Sequence, residues 1–384
     1  MNTRPYALAR RTIGSFDKLG EINWGLVLLI AVIACAGFAM LYSDANAHLW
    51  PWAGPQIIRF FAGLVILVSV ALVDTRFWLR AAYPAYAISL VLLALVLVIG
   101  HKGLGAERWI ALGPVEIQPS EMMKIALILA LARFLNGLSV EDVSKPHNLA
   151  IALVMIGLPA LLVAKQPNLG TTLILVADGA SLLFLAGLSW WWIGPVLGAV
   201  VVAVPTAWRF VLHDYQKQRV MTFLNPESDA LGAGWNITQA KIAIGSGGLT
   251  GKGFLEGTQS RLNFLPEKQT DFIFTTFAEE FGFAGSIALL ILFAVVIGYG
   301  VQIAMSARSQ FARLIAIGIT LNFFFYIMIN ALMVMGLIPV VGIPMPLVSY
   351  GGTAMLTVMF GFGLLMSCHV HRQVEIARHS AGII

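Results

Sequence analysis

Charge is what this sequence has least of. Aspartate, glutamate, lysine and arginine make up 11% of its 384 residues, against 59% hydrophobic, whereas an ordinary soluble domain is roughly one-quarter charged. With a mean hydropathy of +0.84, that shortage excludes a soluble globular chain. It leaves a polytopic membrane protein in which each ionisable residue inside a span is costly and marks a candidate function. Cysteine is nearly absent as well: Cys35 and Cys368 stand in opposite terminal apolar segments, which excludes a disulfide framework and leaves two small thiols packed as apolar groups. No histidine and cysteine cluster has transition-metal spacing, and His369 and His371 fall at a helix end as interfacial residues. A divalent cation on hard oxygen ligands needs no such motif, so it stays open as a cofactor. There is no continuous basic and aromatic patch, which argues against a nucleic-acid partner. The net charge of +5 fits basic cytoplasmic loops beside membrane lipids instead.

What is present is a series of apolar runs of the length a bilayer requires, roughly 17 to 25 residues. They cover residues 24–43, 56–73, 81–100, 117–135, 149–164, 170–187, 190–212, 271–304, 312–337 and 350–368. The predicted fold is all-α, a single transmembrane domain over residues 1–384 with about ten spanning helices. The first run follows Arg4, Arg10, Arg11 and Lys18 and resembles a signal peptide, but it is longer than a signal core of about 7 to 15 residues and nine more spans follow, so a retained signal anchor is expected. Basic residues recur on the same side, at Arg76 and Arg80, Arg133 and Lys145, Arg308 and Arg313, and Arg372 and Arg378. This alternation predicts that the termini, residues 1–23 and 369–384, are both cytoplasmic.

The opposite side receives GHKGLGAERWIALGPVEIQPSE, the AKQPNLG turn, the long segment 213–270 and GLIPVVGIPMPLVSYGG. In a bacterium that side of the cytoplasmic membrane faces the periplasm or the exterior. A connection as long as 213–270 is uncommon without a function. Its GWNITQAKIAIGSGGLTGKG stretch reads as a short amphipathic helix followed by glycine-rich turns. GSGGLTGKG lacks the order of a P-loop, which argues against nucleotide binding.

The stretches GAERWIALGPVEIQPSEMMKI, QPNLGTTLIL, YQKQRVMTFLNPESDALGAGWNITQAKIAIGSGGLTGKG, FLPEKQTDFIFTTFAEEFGF and GIPMPLVSYGGTAML span residues 105–355. In them the chain resembles the SEDS family of shape, elongation, division and sporulation proteins, and most closely its rod-shape branch. The resemblance implies a ten-helix peptidoglycan glycosyltransferase. Such an enzyme polymerises lipid II into a nascent glycan strand outside the membrane, beside a class B penicillin-binding protein. The division branch of the family and a lipid II transporter are the alternatives, and a noncatalytic scaffold for the penicillin-binding partner is a third class. One departure is Asn168 in QPNLG, where the family often has aspartate; an amide keeps hydrogen-bonding shape without charge, so the turn is given a structural or substrate-orienting role.

Joining lipid-linked disaccharides by single displacement needs a base for a sugar hydroxyl and cations for the departing diphosphate, but no second catalytic carboxylate. The resemblance implies that Asp271, in TDFIF, is the base; the alternative use of an aspartate before an apolar helix is as an N-cap. Glu121 and Lys124, three residues apart on one helix face, can pair, either to lower the cost of two charges at the membrane edge or to orient the substrate cavity. Arg108 and Trp109 offer a guanidinium for phosphate and an aromatic platform, with interfacial anchoring as the other use of the tryptophan. Gln216, Arg219 and Lys241 add donors for diphosphate and sugar hydroxyls, and Arg suits bidentate phosphate recognition better than Lys. Ser349 and Gly351 lie in a proline- and glycine-broken segment that must be buried or line a wet cavity. Glu279 and Glu280 are adjacent and cannot share one face, with Glu279 expected inward, and Asp178 is a midspan carboxylate in need of a partner or a proton.

Overall fold

The computed structural model describes residues 15–376 except 100, 104, 105, 113, 114, 167, 193, 196, 197, 199, 200, 202–204, 207, 210–213, 226–232, 263 and 266. In chain order its elements are α1 (Ser15–Gly20), α2 (Trp24–Asp44), α3 (Ala53–Leu72), α4 (Thr75–Ile99), β1 (His101–Gly103), β2 (Ala106–Leu112), β3 (Val115–Ile117), α5 (Pro119–Asn136), α6 (Val140–Val143), α7 (Pro146–Lys165) and α8 (Leu169–Leu185). After a 3₁₀ turn at Trp190–Trp192 come α9 (Asp214–Leu224), α10 (Ala233–Ser246), α11 (Thr258–Arg261), α12 (Ile273–Ser306), α13 (Gln310–Val334) and α14 (Gly352–Val370). Seven of these, α2, α3, α4, α7, α12, α13 and α14, are long and apolar enough to cross a membrane, and α8 is a shorter apolar helix. The expected span at 117–135 is α5, whose Glu121, Lys124 and Arg133 make it less apolar than its neighbours. The expected span at 190–212 falls largely outside the described residues.

Helices dominate because a chain in lipid must satisfy its own backbone polar groups. Their starts are sequence-encoded: Asn23, Asn168 and Ser309 each accept a hydrogen bond from a first-turn amide, and Pro119 and Pro146 occupy first-turn positions where no amide donor is required. The exception to the all-helical reading is a small antiparallel meander, β1-β2-β3, with Ile110 opposite Ile117 and Leu112 opposite Val115. It occupies the stretch between α4 and α5 and packs on α4, α5 and α14.

α13 lies at the centre, packed against α5, α8, α12 and α14. α14 runs along α3, where Gly63 lies against Met359 and Gly363 against Val70, the close small-residue approach on which helix association in lipid depends. At one end of the bundle the chain termini are tied in: Lys18 donates to Leu72 O, Ser367 to Val73 O, and Arg372 pairs with Glu21 at 2.9 Å.

At the opposite end α12 is broken. Gly282 has φ 66° and ψ −163° inside the helix, and the glycine-rich stretch after α10 fills the gap. The amides of Lys252 and Gly253 donate to the carbonyls of Glu279 and Glu280, and the amides of Phe283 and Ala284 donate to Gly248 and Leu249. Four backbone groups that the break would strand are thereby paired, as the low-dielectric interior requires.

This fit makes Gly282 irreplaceable, unlike Gly298 further along the same helix. A Cβ there would stand 2.3 Å from Gly251 N, and the left-handed backbone alone costs an L-residue about 1 to 2 kcal/mol. Gly298 of the same helix has open space around its Cβ position, so Gly298→Ala is expected to be neutral or stabilising by up to about 1 kcal/mol. Thermal unfolding of the detergent-purified variants should show Gly282→Ala melting well below both Gly298→Ala and the parent; equal midpoints would contradict the stitched break.

Candidate active site

Four features converge at the end of the bundle that carries the break: the turn 267–272, the segment 341–351, the last turns of α13 and the start of α3. The turn is tight. Glu267 takes φ 54°, its carbonyl accepts from the amides of Thr270 and Phe272, and its carboxylate accepts from Thr270 Oγ1 at 3.1 Å. Asp271 is half-buried at the exit of this turn. α12 begins two residues later with Phe272 in the cap position and no side-chain cap bond, so the N-cap use anticipated for Asp271 is not its role here.

The turn is clamped onto the 341–351 segment. Ser349 Oγ donates to Thr270 O at 2.5 Å and accepts from Met345 N, and Tyr350 N donates to Gln269 O. Asn330 of α13 donates to both Asp271 O and Ile343 O, at 2.9 and 2.7 Å. Gln56 of α3 reads the same segment twice, donating to Ser349 O at 2.9 Å and accepting from Gly351 N at 3.4 Å. Gly351 itself is extended, with φ −175°. The segment also presses on α2: a Cβ at Gly37 would meet Val348 Cα at 2.6 Å, so only glycine permits this approach. Gly170 of the QPNLG motif packs on Ile343, and Asn168 caps α8 through Thr171 N at 3.3 Å, a structural role for that turn.

One helical turn from Asn330, Tyr326 donates to Glu121 Oε2 at 2.6 Å. Glu121 Oε1 is 2.7 Å from Lys124 Nζ, both side chains are buried, and Lys124 sits 4.1 Å from the Tyr326 ring centroid. The spacing in QPSEMMK thus builds a real ion pair, anchored to the helix that also holds the Asp271 turn. Asp178 of α8 is fully buried, acts electrostatically on Lys124, and neither carboxylate oxygen has a hydrogen-bond partner among the described residues.

The pair Glu279 and Glu280 corrects the expectation of one inward residue: both are buried. Glu279 meets Lys252 at 2.6 Å, Thr258 Oγ1 and Gln259 N. Glu280 accepts from Leu255 N at 3.2 Å and from Ser43 Oγ of α2. The two do leave the helix on different sides, but the glycine-rich stretch covers one side and α2 the other. Asp44 and Lys268, which sequence reasoning passed over, join this cluster. Burial lowers the pKa of Lys268 from its ordinary value, and the Asp44 carboxylate opposes that shift.

The remaining expected site residues are less informative. Trp109 is half-buried on β2, the strand packed beside the start of α5. Lys241 is exposed on α10, its stem over Gly336. The side chains of Arg108, Gln216 and Arg219 lie outside the described ones. Among the described residues, no three histidine, cysteine or acidic side chains converge to hold a metal. Arg59 is the residue a closer reading of PQIIRFF would have found, a cation six positions into an apolar helix; its guanidinium carbon lies 4.8 Å from the Tyr350 ring centroid.

These elements recur in known proteins. The chain is 50% identical over 361 residues to the peptidoglycan glycosyltransferase MrdB of Escherichia coli K12, covering 94% of this chain and 96% of that one. It is 35% identical over 364 residues to a probable peptidoglycan glycosyltransferase FtsW of Trichlorobacter lovleyi, covering 91% and 93%. Two solved structures share the fold. One, from work on the structural coordination of polymerization and crosslinking by a peptidoglycan synthase complex, superposes with a TM-score of 0.79 at 31% identity, covering 91% of this chain and 98% of that one. The other, the rod shape determining protein RodA of Thermus thermophilus, gives 0.69 at 28% identity over 91% and 97%. The cell cycle protein profile of FtsW, RodA and SpoVE matches residues 19–374, nearly the whole bundle just described, and the chain therefore belongs to the SEDS family.

Proposed function

We propose that this chain is an integral-membrane peptidoglycan glycosyltransferase of the elongation type, which polymerises lipid II with Asp271 as general base. The observation that carries the reading is the mounting of Asp271. A half-buried carboxylate is held by its backbone on Asn330 and by its turn on Ser349, at a membrane-edge position, in a chain half identical to a peptidoglycan glycosyltransferase. A fixed carboxylate with some water access is what proton abstraction from a sugar hydroxyl needs. The hydroxyl oxygen then bonds to the anomeric carbon of a second lipid-linked sugar, the bond from that carbon to the diphosphate oxygen breaks, and the lipid diphosphate leaves with the electron pair. The proton passes to Asp271.

The orientation that serves this chemistry places both termini in the cytoplasm and the site at the outer face, as the alternating arginines and lysines argue. The partner of choice is a class B penicillin-binding protein, in keeping with the synthase complex that shares the fold. The buried network of Asp178, Lys124 and Glu121 is the feature a lipid transporter would use. Movement of lipid II across sealed vesicles without polymer would favour that reading over this one.

Two outcomes follow. Asp271→Asn preserves shape and removes the base, so polymerisation of labelled lipid II by the purified chain with its partner, moenomycin present, should fall roughly 10² to 10⁴-fold with lipid II still bound; activity within about threefold of the parent would sink the assignment. Glu121→Gln should strand a buried Lys124 and cost about 3 to 5 kcal/mol of stability. Thermal unfolding should then recover in the double variant Glu121→Gln, Lys124→Met. If that double variant also polymerises at the parent rate, the pair serves the fold alone; if it is stable and slow, the pair positions α13 for the Asp271 turn.

A further inference from the structure

The proposed reaction leaves one end of the bundle unused, the end that carries the chain termini. A cavity of about 670 Å³ opens there, within the range of roughly 300 to 1,000 Å³ typical of ligand sites. It is lined by Val140 of α6, Leu185 of α8, Arg308 and Arg313 around the start of α13, and Glu375 beyond α14. Two guanidinium groups thus share it with one carboxylate, and the protein matches them poorly. Arg308 Nη1 is 3.9 Å from Glu375 Oε1 with both side chains largely exposed, a kind of pair that contributes little. Arg313 Nη2 donates to the neutral carbonyl of Ala307 at 3.3 Å. The first turn of α13 holds no acidic residue, so its amide end adds to the positive potential instead of meeting an anion.

The same corner marks the level of the membrane surface. Gly187 packs on Val140, and Ser189 N and Trp192 Nε1 donate to Ser144 Oγ and O at 2.8 and 3.1 Å, which latches the turn at 190–192 beside α6. Trp190 and Trp191 are exposed on that turn, and Trp190 meets the exposed Phe184 edge-to-face at 5.5 Å. Tryptophans at the end of an apolar helix sit at headgroup level. Leu185, on the wall of the cavity, is exposed beside Phe184. The corner is therefore amphiphilic, with two arginines inside the cavity and an aromatic and aliphatic flank next to it.

We infer that this cavity binds an anionic phospholipid, its phosphodiester held by Arg308 and Arg313 and its acyl chains lying along Leu185 and Phe184. The planar guanidinium fork suits phosphate oxygens, and basic pockets between spanning helices on the cytoplasmic side recognise anionic headgroups. The inference rests on the orientation proposed above and is independent of the polymerase reading. An acidic protein segment is the other anion that two arginines could take, but the exposed apolar flank favours a ligand that carries hydrocarbon. Because Arg308 N also donates to Arg372 O, a bound headgroup would join the start of α13 to the chain beyond α14 and to the ends of α6 and α8.

The test titrates the detergent-purified full chain with dioleoylphosphatidylglycerol and dioleoylphosphatidylcholine, which share their tails, and reads binding by native mass spectrometry. An arginine near a membrane surface is worth roughly fivefold in affinity for anionic lipid. Arg308→Gln and Arg313→Gln should therefore each cut the preference for phosphatidylglycerol roughly fivefold and together roughly 25-fold, with phosphatidylcholine binding unchanged. Arg76→Gln with Arg80→Gln, at the same end but outside the cavity, should leave the preference intact. Equal loss in that control means diffuse surface charge and overturns the site. A folded double variant that keeps the parent's preference also overturns it and leaves the cavity to an acidic protein segment. Displacement of the lipid by an equal concentration of inorganic phosphate would make this a free-anion site and overturn the lipid assignment. Should the double variant not fold, the exposed Arg308→Gln decides by the same criterion.

Discussion

The break in α12 is the constraint around which the working end of this molecule is built. A helix interrupted at membrane depth strands amides and carbonyls that water would otherwise satisfy. Here the stretch following α10 supplies the missing partners: Lys252 and Gly253 give amides to Glu279 and Glu280, and Gly248 and Leu249 accept from Phe283 and Ala284. Because the stitch is backbone to backbone, it fixes the height of the stretch against α12 whatever the side chains are. Side chains then add to it, with Lys252 on Glu279 and Leu255 N on Glu280. The first turns of α12, and with them the 267–272 turn, are held between this stretch and α13.

The scarcity of charge acts in the same direction. With so few ionisable groups, several of those buried among the described residues are grouped with an opposite neighbour: Glu121 with Lys124, Glu279 with Lys252, Asp44 near Lys268. Breaking such a pair is more damaging than never having had it, so these sites resist drift and hold geometry. α13 connects two of the regions, since Tyr326 holds Glu121 and Asn330, one turn on, holds Asp271 and Ile343. A shift of α13 along its axis would be felt in both places at once.

Much of this was legible in the sequence because it follows from local rules. Apolar runs gave the spans, the E-x-x-K spacing gave the Glu121–Lys124 pair, and the prolines and glycines of GIPMPLVSYGG marked backbone that leaves helical geometry. What was not legible depends on neighbours distant in the chain. Adjacency suggested that Glu279 and Glu280 could not both be inward, which is true of one packing surface and fails when α2 and the glycine-rich stretch cover two. Nothing local distinguishes Gly282, a left-handed break, from Gly298, an ordinary helical glycine. The small sheet at 101–117 escaped notice because its strands are short and lie between two spans. Aspartate before an apolar run also suits a helix cap, but the helix starts a residue later than that use requires and Phe272 takes the cap position.

That displacement of Asp271 from the cap position ties the fold to its chemistry. A capping aspartate has its oxygens engaged by first-turn amides, which holds it as a weakly basic carboxylate. Asn330 and Ser349 fix the residue through its carbonyl and its neighbour's carbonyl. On the other side of the segment, Gln56 holds the backbone of Ser349 and Gly351, and Arg59, one turn further along α3, packs on the Tyr350 ring. One clamped segment thus fixes the Asp271 turn from one side and the start of α3 from the other, so neither can shift without breaking a hydrogen bond to the segment's backbone.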